Sequence, residues 1–240
     1  WQAILTRIAF AGVDGVLVAG EAGEYRALSE EERVVVLRFC RQALPREVVV
    51  YGNAGASTTR ESVRLAQAAE AEGIDCVAVT APEVDDPEHY IEICRAVPIP
   101  VLAQGLPAAS CRRVAAACDN FLGAHDSTPS RALLPTLESG YASLVTACAA
   151  VAPGAVVELY KSWRGARPAD AARLAEMLAP LQVETASAVK EAMRLAGCPA
   201  GVCRRPAPAV GPDLRREIES AIARLRAARF LPETATSASP

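Results

Sequence analysis

Lysine is nearly absent from this 240-residue chain: Lys161 and Lys190 are the only two, and every other cation is arginine. Both fall in segments patterned as helix, so no amine stands at the end of a candidate strand. Histidine is equally sparse, with His89 and His125 alone. Long apolar runs are missing too. None reaches the roughly 18 to 20 residues needed to span a bilayer, and the start lacks a basic region followed by an apolar one. No membrane partner and no targeting leader are therefore expected. The formal charge is -3 and the pI about 5.6, with arginine scattered rather than clustered, which excludes a nucleic-acid footprint. Among the eight cysteines no C-x-x-C pair occurs, and most sit in apolar stretches, where a free thiol behaves as a small hydrophobe. That points to a reducing, cytoplasmic setting, with neither a metal centre nor a cofactor expected.

What is present is enough apolar material, 51% of residues, to bury a substantial core in one α/β barrel or two small domains. Short β-rich runs alternate with longer helical ones, the pattern of βα units around a parallel sheet. Six strand candidates emerge: Val13–Ala19, Glu47–Tyr51, Ile74–Thr80, Ile99–Gln104, Asn120–Ala124 and Ala142–Ala147. Each is almost continuously apolar, as a strand covered on both faces should be. Ser29 to Glu32 reads as a capping box, Thr58 to Glu61 repeats it, and Gly73 stands where a helix needs its C-terminal glycine. Beyond Pro153 the pattern is helical over Gly154–Trp163, Ala169–Leu178, Glu184–Ala196 and Pro212–Arg229. The division predicted is a parallel barrel over 1–153, helices over 154–231 and a frayed tail over 232–240.

The run Gly12-Val13-Asp14-Gly15-Val16-Leu17-Val18-Ala19-Gly20-Glu21-Ala22-Gly23-Glu24, followed by Leu28-Ser29-Glu30-Glu31-Glu32-Arg33, resembles a signature of the dihydrodipicolinate synthase and N-acetylneuraminate lyase family. Thr58 to Glu61, the stretch from Glu72 to Thr80, Val151-Ala152-Pro153 and the segment Leu195 to Pro199 extend the likeness along the chain. What the resemblance implies is a (β/α)8 TIM barrel with a C-terminal helical extension, its site at the C-terminal ends of the strands. It also implies a small 2-oxo acid as ligand and a homodimer or homotetramer.

The same resemblance marks four departures. The family's Schiff-base lysine ends the sixth barrel strand, and here that position is His125, which forms no stable iminium. Its two carboxylate-holding hydroxyls are Glu21 and Ala22. Its proton-relaying tyrosine is Gln104. The tyrosine that follows the fourth strand is Glu83 or Val84. Together these losses argue against Schiff-base aldolase chemistry. The chain is also too short for eight strands, so the barrel is incomplete as it stands. Either it is truly reduced, or segments are missing in the windows Pro82–Pro87, Pro107–Arg112 and Ser127–Leu133, and the second alternative is the one expected.

Two functions follow from this reading. One is a ligand-binding or partner-associating pseudoenzyme. The other is a lyase or hydratase in which His125, Asp126 and Glu21 perform acid–base chemistry on a small oxo- or hydroxy-acid. Gly20, Ala22, Gly23, Glu24 and Gln104 would line the ligand. The plainer alternative for His125 is a hydrogen-bonded filler of a vacated lysine site. Glu24 would organise its turn, and Gly20, Gly23, Gly52 and Gly55 would supply turns needing positive φ or a close backbone approach. His89, at the start of a helix opened by Pro87, is expected to be solvated.

Overall fold

The computed structural model describes residues 1–80, 85–125, 133–138, 144–183, 185–198 and 200–232. Five strands pair in parallel and in sequence order: β1 (Gly15–Val18), β2 (Val49–Asn53), β3 (Cys76–Thr80), β4 (Val101–Gln104) and β5 (Phe121–His125). Helix α1 (Gln2–Phe10) precedes them, and α2 (Glu30–Ala43), α3 (Thr59–Ala71), α4 (Pro87–Ala96) and α5 (Ala108–Ala117) connect them. Then come α6 (Leu133–Glu138), α7 (Cys148–Val151), α8 (Pro153–Arg164), α9 (Pro168–Leu178), α10 (Ala186–Leu195) and α11 (Pro212–Ala227). This is an α/β fold of the (β/α)8 kind, incomplete at five described strands and followed by a helical extension.

The sheet forms one compact unit, residues 14–128 with 135–145. Its strands are mostly apolar, and Val50, Val77, Val79, Val101 and Ala103 are fully buried where α2 to α5 pack along the sheet. At the N-terminal ends of the strands, Arg41 fixes the geometry. It donates to the carbonyls of Leu44, Pro45 and Val48 and to Asp75 Oδ2 at 2.5 Å, and the same oxygen accepts the Val50 N–H at 2.8 Å. The end of α2 is thereby tied to the starts of β2 and β3. Asn120 does the same for α4, its amide reaching the carbonyls of Cys94, Val97 and Ile99.

The helix starts follow their caps. Ser29 Oγ accepts the Glu32 N–H at 3.2 Å while Glu32 takes the Ser29 N–H at 2.9 Å, a complete capping box. Thr58 accepts the Glu61 N–H, but its hydroxyl gives its proton to the Glu61 carboxylate, so only half the device forms. Gly73 takes φ +73° just past α3, as its position predicts.

The second unit comprises residues 1–13, 129–134 and 146–240. In it α8 packs on α9 and α10 on α11, around the fully buried Leu159, Leu174, Leu178, Ile218, Ile222 and Leu225. Arg7 from α1 donates to the carbonyls of Ala150 and Val151, which end α7. Among the described residues no helix is long and apolar enough to cross a membrane.

Three expectations are corrected. The sixth strand, Ala142–Ala147, does not form over 144–147, and 142 and 143 lie outside the described residues. An apolar run this short fits a helix as well as a strand, and Ala147 here caps α7. No interruption occurs between Pro107 and Arg112, since α5 begins there and the Cys111 N–H reaches the Pro107 carbonyl at 2.9 Å. The other two windows fall largely outside the described residues. His89 is not solvated: it is 4% exposed, its Nδ1 lies 2.9 Å from Thr59 Oγ1, and its ring meets Tyr90 edge-on.

Burial holds the His89 pKa below its ordinary value, against the opposing pull of Asp86 and Glu92. Protonation therefore favours the unfolded chain. The contribution is intact above about pH 6.5, the unfolded value, and is lost as pH falls toward the lower folded value. His89→Gln should flatten the urea midpoint between about pH 7 and 5 relative to the parent. Parallel loss of stability in both proteins would contradict this.

Candidate functional site

Each of β2 to β5 ends on a single polar residue: Asn53, Thr80, Gln104 and His125. Parallel pairing sets three of them in one row, because Thr80 pairs with Gln104 and Gln104 with His125. The row depends on an irregularity. Val101 pairs with Phe121 but Leu102 with Gly123, so Leu122 bulges out of the ladder, 52% exposed, and Gly123 takes φ +113°. Without that extra residue Ala124, not His125, would face Gln104. The bulge delivers the imidazole to the strand end, where it is 1% exposed.

Asn53 joins the ends of the first three strands. Its Nδ2 donates to the Ala19 carbonyl at 2.8 Å, and its Oδ1 accepts the Gly55 N–H at 2.9 Å and the Thr80 hydroxyl at 3.2 Å. Thr80 has one proton to give and shares it with Gln104 Oε1, 3.1 Å away. Gly55 lies so close to β3 that a Cβ there would come within 2.8 Å of Thr80 Cβ. Arg33, from α2, is 5% exposed and donates to the carbonyls of Asn53 at 2.6 Å and Gly55 at 3.1 Å. Asn53, Thr80 and Gln104 thus meet one another or the surrounding backbone, as burial demands, while the Nε of Arg33 is buried without a hydrogen-bond partner.

The turn after β1 supplies the rim. Residues Glu21–Gly23 form a 3-10 turn and Tyr25–Ala27 another, with Glu24 between them in the left-handed region at φ 59°. That kink buries Tyr25, whose ring lies under the guanidinium groups of Arg26 and Arg33 at 5.0 and 5.3 Å. Its hydroxyl interacts with Thr80 and Glu21. Burial first and the Glu21 charge second push the phenol pKa up, so it stays protonated and able to donate. Glu21 itself is half exposed and 3.5 Å from Arg26.

The sequence-predicted residues are therefore distributed as follows. Gln104 and His125 are neighbours. Gly20, Glu21, Ala22, Gly23 and Glu24 share the turn after β1, at the opposite sheet edge from β5, and the Tyr25–Thr80–Gln104 contacts link that turn to the row. Asp126, Glu83 and Val84 lie outside the described residues. The four glycines are corrected: none of Gly20, Gly23, Gly52 or Gly55 has positive φ, and the left-handed positions are Ala19 and Glu24. Close approach, the other role expected of them, holds for Gly55.

Asn53, Thr80, Tyr25 and Arg33 escaped the sequence reading. For Asn53 and Thr80 the signal was a polar residue closing an apolar run. Replacing Asn53 by Ala orphans buried partners on three segments and should cost about 2 to 3 kcal/mol in urea unfolding. A cost below about 0.5 kcal/mol would show that the floor does not depend on it.

Residues 2–89 match the model of the Dihydrodipicolinate synthetase family. Among curated relatives, the 4-hydroxy-tetrahydrodipicolinate synthase of Bartonella bacilliformis is 35% identical over 131 residues, 49% of this chain. The match spans 45% of that enzyme, under half its length. The synthase of Bacillus subtilis is 24% identical over 89% of this chain and 88% of its own length. Two solved structures share the fold. A prophage protein of the dihydrodipicolinic acid synthase family from E. coli K12, crystallised with pyruvate, superposes with TM-score 0.82 at 24% identity, over 94% of this chain and 91% of its own. Dihydrodipicolinate synthase from Aquifex aeolicus gives 0.84 at 20% identity, over 97% and 92%.

Proposed function

We propose that the chain is a divergent member of the dihydrodipicolinate synthetase family, whose model matches residues 2–89, and that it binds a small oxo- or hydroxy-acid without Schiff-base chemistry. The observation that carries this reading is His125, buried at the strand end where an amine would be needed, in register with Gln104. Lys161 and Lys190 lie on α8 and α10, and Lys190 donates to the Val202 carbonyl. A neutral amide, a hydroxyl and an imidazole can orient a polar ligand by hydrogen bonds. They offer no nucleophile that forms an iminium with a 2-oxo acid. In this reading the chain is a pseudoenzyme of the cytoplasm that works as a homodimer or homotetramer, its ligand resembling the pyruvate held by the prophage relative.

One observation favours a second reading, a lyase or hydratase. Tyr25 is held protonated by burial and by the charge of Glu21, which suits a general acid in a reading where His125, Asp126 and Glu21 carry the acid–base chemistry. Turnover of a 2-hydroxy acid that falls at least about a hundredfold in Tyr25→Phe would establish it over the first.

The proposal is tested by borohydride reduction in the presence of pyruvate. Intact mass should show no adduct in the parent protein, and His125→Lys alone should not acquire aldolase turnover, because Glu21, Ala22 and Gln104 remain. An adduct mapping to Lys161 or Lys190, or full activity from that one substitution, would overturn it.

A further inference from the structure

The helical unit contains a groove of about 630 Å3, within the size range of small-molecule sites. One wall is a face of α10, where Ser187, Lys190, Glu191 and Arg194 recur at helical spacing. The other is the segment 201–210, largely apolar, on which Val202 is 92% exposed. Val210 and Arg215, flanking the N-terminal end of α11, close it.

Its charge is unlike that of the rest of the chain. Lys190, Arg194, Arg205 and Arg215 line it against one carboxylate, Glu191, in a protein of net charge -3. Glu191 is already committed: Arg194 holds it with two bonds of 2.8 and 2.7 Å, and Arg215 lies 3.4 Å away. Arg215 also meets Glu219 at 3.1 Å, and Lys190 spends one proton on the Val202 carbonyl at 3.0 Å. Arg205 makes no hydrogen bond or ion pair among the described residues. The 16-residue helix α11 adds the positive end of its dipole, without a side-chain cap. Apolar walls beneath a rim that carries more cations than carboxylates suit a ligand with both kinds of surface.

We propose that this groove binds a small organic polyanion, one carrying two or more acidic groups, its anionic end on Arg205, Lys190 and Arg215 and its carbon skeleton against Val202 and Pro208. Two sources share this chemistry, phosphate esters and polycarboxylates. Calorimetric titration with inorganic pyrophosphate and with citrate separates them, since the acid type preferred will bind more tightly. At least one should bind below about 1 mM at low salt and weaken as salt rises. Arg205→Gln and Lys190→Gln should each weaken it about tenfold with unchanged thermal midpoints, and amide shifts should concentrate at residues 201–210. The proposal is overturned if neither anion binds by about 10 mM, if both variants bind like the parent, or if the shifts gather at Gly55 and Gly105.

Discussion

The side chain of Asn53 is the point on which the strand ends depend. One amide holds the Ala19 carbonyl just past β1, the turn after β2 and the hydroxyl closing β3, while its own backbone carbonyl receives Arg33. Three segments far apart in sequence are thus fixed relative to one another by a group with no charge. Because Asn53 is 2% exposed, water cannot take over any of these bonds. Losing the amide would leave several buried donors and acceptors unmet at once.

The rest of the floor is set by register. Thr80, Gln104 and His125 stand in one row because the strands pair in parallel without slippage until the Leu122 bulge, which advances β5 by one residue. The bulge determines which side chain occupies the final position, and a histidine there gives the site hydrogen bonding in place of amine nucleophilicity. The charges nearest the floor are arranged around Tyr25, where Arg26 and Arg33 flank the ring and Glu21 meets the hydroxyl. The site is therefore a mainly neutral, mutually linked array with a titratable rim.

Much of this was legible in the sequence. Continuous apolar runs marked all five strands, since strands buried on both faces need no alternation, Ser29 and Gly73 acted as their chemistry required, and Thr58 formed half of its expected capping box. Strand starts were read early: Val13 and Glu47 precede the observed Gly15 and Val49, although Asp14 and Glu47 are charged and already mark the run's edge. Strand ends were read short where a polar residue closed the run, which hid Asn53 and placed His125 outside β5. The bulge had no local signal beyond Gly123. His89 was misjudged because its burial depends on Thr59, thirty residues away, and the turn after β1 because Ala19 and Glu24, rather than its glycines, adopt the left-handed conformation.

The central claim, that Asn53 builds the floor in the free protein, is tested most directly by amide hydrogen exchange at Gly55. Its N–H ends on a buried side-chain oxygen, so ligand-free protein should protect it as strongly as the sheet amides. Exchange at the rate of an open loop would contradict the account.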